Sequence, residues 1–283
     1  MYLKIISELG NIDDLPTIPP ILVKLNEILA DPESSAEDVA SLIKEDQVLT
    51  TRLLKLVNSA YYGFTRKITT VTHAVVILGF RNVKNIVLTA KTFDLYKSSY
   101  TKIRRIFDVN LLWQHSLGVA VIAKKIGELV RYPDQETLFT GGLIHDIGKI
   151  VEIKCLFDYM PRIFELVRDQ NISMWQAEQS VFNITHAEIG KVLGDMWDFP
   201  LILEHIVAYH HYPHLSEDFS QQVAIVHIAN SLCREMKIGS GGDSLIPVIE
   251  DGAWERAGLE PSVKEYIIKE SQKSISELLP VFA

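Results

Sequence analysis

Along nearly the whole chain, apolar residues recur three and four positions apart, and the alternation a half-buried strand needs is scarce. That periodicity commits the chain to helices that each bury one face, so the expected fold class is all-α, a multi-helix bundle. Local punctuation supports it. Pro16, Pro19 and Pro20 precede a helix carrying Leu22, Leu25 and Leu29, and Asp31-Pro32 stops it. Ser34 and Glu37 have capping-box spacing for a helix reaching about Lys44, and Asp46 caps one carrying Leu49, Leu53, Leu56 and Val57. Asn58 reads as a left-handed helix end, and His73 to Leu78 as a short helix closed by Gly79. A helix over Val83 to Tyr96 follows.

Ser98-Ser99 and the basic cluster Lys102, Arg104 and Arg105 break the pattern over 98–110. Helices are expected again over Leu112 to Val130, Gln135 to Ile150 and Ser220 to Lys237. Two more start at a Thr185/Glu188 capping box and at Asp198, with Pro200 near its start. Gly239-Ser240-Gly241-Gly242 reads as a flexible break, and residues 250–280 as two short helices. The expected organisation is three parts: 1–105, 106–238 and 239–283.

A chain of 283 residues can bury a substantial core. Its net charge of −8 argues against general nucleic-acid binding, which needs a basic excess to neutralise phosphates. Cys155 and Cys233 stand far apart, giving neither a zinc knuckle nor a disulfide framework, and read as buried reduced thiols. The first residues lack the basic-then-apolar order of a signal peptide, and no apolar run reaches membrane-span length. A soluble, cytoplasmic protein without membrane attachment is expected.

The histidines are not scattered. His115 heads the apolar stripe Val119, Ile122, Ile126 and Leu129. His145 and Asp146 fall late in a helix whose stripe includes Leu138 and Gly142. His186 lies in the first turn after Thr185, and His210 continues the stripe of Leu203 and Ile206, with His211 beside it. Several helices thus aim imidazoles inward, and each buried imidazole without a partner costs about 1–3 kcal/mol. A shared metal ion would satisfy several at once. The alternative is a hydrogen-bonded polar core. Imidazoles with one carboxylate suit iron, manganese or zinc. His73 and His214 read as surface or loop residues, His205 as outward-facing, and His227 as packing, with support of the ligands beside Asn230 as the alternative. Trp113, Trp175, Trp197 and Trp254 read as core or inter-helix anchors.

Gly142-Leu143-Ile144-His145-Asp146-Ile147-Gly148-Lys149 resembles the core motif of the HD superfamily of metal-dependent phosphohydrolases. Leu15-Pro16-Thr17-Ile18-Pro19-Pro20, Asp46-Gln47-Val48-Leu49, Val57-Asn58-Ser59-Ala60-Tyr61-Tyr62-Gly63 and Ala74-Val75-Val76-Ile77-Leu78-Gly79 resemble, in order, the HDOD family. These are HD-related output domains of bacterial signalling proteins. The resemblance implies an HD-like helical core behind an N-terminal helical subdomain, and a non-catalytic output role with a signalling protein as partner. It also implies a metal-ligand order. His115, His145, Asp146, His186, His210 and His211 follow the order of the related HD-GYP phosphodiesterases, which hydrolyse cyclic di-GMP with bound metal, often iron. There a closing Asp is expected within Val226 to Ser231, where Asn230 stands, and the Gly-Tyr-Pro loop is replaced by Tyr212-Pro213-His214-Leu215. Lys149 would contact phosphate in an active enzyme; otherwise a lysine there reads as solvated.

The expectation is therefore a signal-transduction output domain without turnover, binding one or two ions. The alternatives are a metal-dependent phosphodiesterase or phosphohydrolase acting on a nucleotide or cyclic dinucleotide, and a diiron redox sensor.

Overall fold

The computed structural model describes residues 16–59, 62–103 and 107–281. Among them every regular element is helical. The N-terminal part holds α1 (Pro20–Ala30), α2 (Ala36–Lys44), α3 (Gln47–Val57), α4 (Val71–Leu78) and α5 (Phe80–Ile103). Next come α6 (Val109–Leu129), α7 (Gln135–Ile144), α8 (Ile147–Cys155), α9 (Met160–Gln170), α10 (Met174–Phe182), α11 (His186–Met196), α12 (Leu201–Tyr209) and α13 (Ser220–Glu235). The last helices are α14 (Ala253–Ala257) and α15 (Lys264–Leu278). Among the described residues, no single helix is long and apolar enough to cross a membrane.

Several helix starts follow from side-chain caps. Asp46 accepts from the Leu49 amide at 2.9 Å, and Gly79 closes α4 at φ +79°. The box that opens α2 lies one residue later than the sequence suggested. Ser35 is the cap, and its amide donates to Asp38 Oδ2 at 2.8 Å. Asp198 is no cap; it turns at φ +53°, and Pro200 precedes α12. Asn58 is not left-handed either, with φ −87°. Its side chain instead clamps the following loop: Nδ2 donates to Leu54 O and Ile68 O, and Oδ1 accepts from the Ile68 amide, each at 2.7 Å. Helix α5 starts earlier than expected and runs on through Ser98-Ser99 to Ile103. Tyr61, Arg104 and Arg105 lie outside the described residues.

Helix α6 is the axis of the second half, packed against α5, α7, α13 and α15. A continuous set of buried apolar side chains extends from Leu22 to Leu278. Two close approaches fix the helices that matter for the site. A Cβ on Gly142 would stand 2.8 Å from the Ala120 Cα, so α7 lies backbone to backbone on α6. A Cβ on Gly148 would stand 1.9 Å from His186 O, so only glycine lets α8 meet the start of α11.

The expected single helix over Gln135 to Ile150 is broken at His145-Asp146. The His145 ring accounts for the break. Its Nδ1 donates to Gly142 O at 2.7 Å, the carbonyl that the Asp146 amide would use in an unbroken helix. Gly239 to Gly242 is likewise not a loose break. Ser240 N donates to Leu111 O at 2.9 Å, and Gly241 O accepts from Lys149 Nζ at 2.8 Å.

A Gly148→Ala substitution is expected to cost about 2–3 kcal/mol, the upper part of the overpacking range, because the obstacle is backbone. Urea denaturation would show it as a lowered midpoint.

Candidate metal centre

Two helix ends build the site in the same way. At the end of α7, His145 Nδ1 donates back to Gly142 O at 2.7 Å and turns Asp146 inward. At the end of α12, His210 Nδ1 donates back to Val207 O at 2.9 Å, with His211 next to it. A ring whose Nδ1 carries the proton presents a bare lone pair at Nε2. His186 is fixed likewise by a carboxylate: its Nδ1 donates to Glu178 Oε2 at 2.6 Å, and that oxygen also accepts the His186 amide at 2.9 Å.

The three bare Nε2 atoms surround Asp146. His186 Nε2 lies 3.2 Å and His210 Nε2 3.6 Å from Oδ1; His145 Nε2 lies 3.4 Å and His115 Nε2 3.8 Å from Oδ2. His211 Nε2 stands 2.9 Å from His186 Nε2. His145, Asp146, His186 and His210 are essentially inaccessible to solvent. His145 Nε2, His210 Nε2 and Asp146 Oδ1 are buried without any hydrogen-bond partner. Lone pairs converging on the Oδ1 edge of a buried carboxylate, an edge that accepts no hydrogen bond, are what a cation resolves. The donors form two groups, each within 4.8 Å: Asp146, His186, His210 and His211, and His115, His145 and Asp146. The residues fit a metal ion.

The electrostatics agree. Burial holds His115 well below the usual histidine range and pushes His210 down to about 3. Burial followed by His210 and His186 does the same to His211. These rings are neutral, as ligands must be. Burial would raise the Asp146 carboxyl, but the surrounding imidazoles and the Lys149 ammonium outweigh it and hold it well below the carboxylate range. His186 goes the other way, since Glu178 outweighs burial and raises it.

All six ligand candidates read from the sequence therefore meet at one place. Asn230 lines the adjoining cleft. Lys149 is not solvated; it is buried, with Nζ donating to Asp146 Oδ2 at 2.7 Å and to Gly241 O. His227 does more than pack. Its Nδ1 donates to His210 O at 2.7 Å and its Nε2 accepts from the Glu250 amide at 3.0 Å, so it fixes the turn that carries two ligands. His205 bonds Ser216 Oγ, and His214 is exposed beside Glu250. Cys233 is buried but Cys155 only half so. Trp175 is half-buried and stands edge-on to Tyr212 in the cleft wall. The cleft has a volume of about 390 Å³ and reaches His115, Asp146, His186 and His211.

Sequence reasoning missed Glu178 and Glu152. Both are fully buried, and burial followed by the charge of Glu178 pushes the Glu152 carboxyl well up. The signal was present: Glu178 shares its helix with buried Met174, Ala177 and Phe182. An acid among apolar positions of an amphipathic helix is a candidate partner for a buried imidazole.

Two outcomes are expected. Glu178→Gln removes the charge that orients His186 and should weaken Mn²⁺ or Zn²⁺ affinity about 10–100-fold, read by competition with a chelating dye. Affinity should also depend on pH with a definite sign. Below the raised His186 value a proton competes for the ring, so affinity falls as pH falls; above it the curve flattens. Titration calorimetry across pH would show this slope.

The HDOD domain family model matches residues 15–213. An uncharacterized protein of Treponema pallidum is 26% identical over 224 residues, covering 79% of this chain. The chain spans only 43% of that relative's length. Among solved structures, an HDOD domain protein of unknown function from Geobacter sulfurreducens is 27% identical with a TM-score of 0.79, over 99% of this chain and 95% of its own. A candidate phosphohydrolase from Shewanella amazonensis has a TM-score of 0.74 at 20% identity, over 99% and 98% of the two chains, which shows a shared fold. With its HD-type helices, its matching N-terminal motifs and its all-α architecture, the chain belongs to the HDOD domain family.

Proposed function

We propose that this protein is a signal-transduction output module that holds a metal ion and has no turnover of its own, its ion setting the shape of the surface a signalling protein partner meets. One observation carries this reading. Lys149 and Arg234 are the lysine and arginine that line the cleft among the described residues, and both are already engaged. Lys149 donates to Asp146 and Gly241. Arg234 donates to the Asp243 carboxylate at 2.6 Å and through Nε to Leu245 O at 3.1 Å. A phosphoryl group entering the cleft would meet no uncommitted lysine or arginine. Asn230, neutral where the resemblance expects an acid, points the same way.

The same contacts supply a route from the ion to the surface. Residues 240–250 cross the cleft and are fastened to groups that touch the ligands. Gly241 is tied through Lys149 to Asp146, and Glu250 through His227 to His210. Iron, manganese and zinc all suit this donor set.

A metal-dependent phosphohydrolase acting on a nucleotide or cyclic dinucleotide is the second reading, favoured by the cleft of about 390 Å³ that opens onto the candidate ligands beside Trp175 and Tyr212. A divalent ion there would supply Lewis acidity toward a phosphoryl oxygen.

The experiment loads the whole chain with Mn²⁺ or Fe²⁺ and assays bis(p-nitrophenyl) phosphate and cyclic di-GMP beside an Asp146→Ala/His186→Ala control. The output reading expects no hydrolysis above the control. It also expects slower hydrogen exchange over residues 240–250 when metal is present. Hydrolysis that the control abolishes would establish the phosphohydrolase instead.

A further inference from the structure

We propose that the centre takes a single ion, on the Oδ1 side of Asp146, and that the Lys149 ammonium stands where a second ion would sit, on the Oδ2 side. This rests on the cation-site reading above.

The two carboxylate oxygens of Asp146 face different company. Oδ1 faces His186 Nε2 at 3.2 Å and His210 Nε2 at 3.6 Å, with His211 Nε2 a further 2.9 Å from His186. Among the described residues no lysine or arginine pairs with Oδ1, Lys149 meeting Oδ2 instead, and Oδ1 itself has no hydrogen-bond partner. Oδ2 faces His145 and His115, but it also accepts the Lys149 ammonium at 2.7 Å.

Lys149 is built into that position. Its side chain is only 5% exposed, and Gly241 O holds the same Nζ at 2.8 Å. An ammonium has three N–H donors and no lone pair, so it cannot ligate a metal. It fills the Oδ2 side with a charge of the same sign as the ion it would displace.

Charge balance leads to the same count. Asp146 is the carboxylate common to both donor groups and the only one in either. Glu178 lies behind His186, with Oε2 occupied by the ring and the backbone amide. Asn230, on the cleft wall, adds no charge. One carboxylate can compensate one divalent ion in part; it cannot also compensate a second ion beside an ammonium.

The rings on the two sides differ in part. His186 and His210 both have Nδ1 fixed, by Glu178 and Val207 O, which aims Nε2 at the ion. On the Oδ2 side only His145 is fixed in this way, by Gly142 O; His115 Nδ1 is buried with no hydrogen-bond partner, so nothing fixes its tautomer.

The test loads the full-length chain with excess Mn²⁺, removes free metal by gel filtration, and reads metal by elemental analysis and Mn²⁺ electron paramagnetic resonance. The parent should hold about one equivalent with the six-line spectrum of an isolated ion. His145→Ala should keep that equivalent and His186→Ala should lose it. Lys149→Met should admit a second, spin-coupled ion. Two equivalents in the parent, loss of the ion in His145→Ala, or a folded Lys149→Met that stays at one would each overturn the proposal. His145→Ala keeps the test decisive if Lys149→Met does not fold. No metal in the parent would refute the cation-site reading itself, an outcome distinct from a wrong count.

Discussion

The Asp146 carboxylate is buried among four imidazoles, and the rest of the second half is arranged around that fact. A charge in this position is tolerable only if groups of opposite sign or donating hydrogen approach it. Lys149 meets one oxygen, while the lone pairs of His186 and His210 face the other. The structure spends its hydrogen bonds on the far sides of the rings. Gly142 O, Val207 O and Glu178 hold the Nδ1 protons, which leaves Nε2 bare where the rings meet. Such an arrangement makes little sense as a self-satisfied polar core and good sense as a set of ligands.

Backbone geometry makes the convergence possible. Helix α8 reaches the start of α11 only because position 148 lacks a Cβ, and α7 lies on α6 only because position 142 lacks one. These contacts bring the HD dipeptide on one helix junction to His186 on another and His115 on a third. Beyond the ligands, His227 and Lys149 pass the arrangement outward to residues 240–250, so the centre and the cleft surface form one connected network.

Much of this was legible in the sequence. Helical periodicity gave the fold class, and the inward stripes of His115, His186 and His210 pointed to a buried cluster of imidazoles, because burial of a titratable ring leaves a trace in its neighbours' polarity. What the sequence hid depends on contacts between distant segments. The break at His145-Asp146 comes from a side chain competing for a backbone carbonyl, which periodicity does not register. Lys149 looks solvated until Gly241, far along the chain, is found to cover it. Glu178 looks like one more surface acid until its helix is seen to pack its ring-facing side inward. Asn58 was recognised as a helix end, but its role as a clamp on Ile68 needs the loop's return path.

His145, His186 and His210 carry their protons on Nδ1, and His186 and His210 offer Nε2 to a cation; long-range proton–nitrogen correlation spectra of histidine-labelled protein read that directly. At a pH above the raised His186 value, the account predicts three Nδ1–H tautomers whose Nε2 resonances are pyridine-like. Of these, His186 and His210 should shift on addition of Zn²⁺, while the exposed His73 and His214 do not. Nε2-protonated rings at these positions, or spectra that Zn²⁺ leaves unchanged, would contradict it.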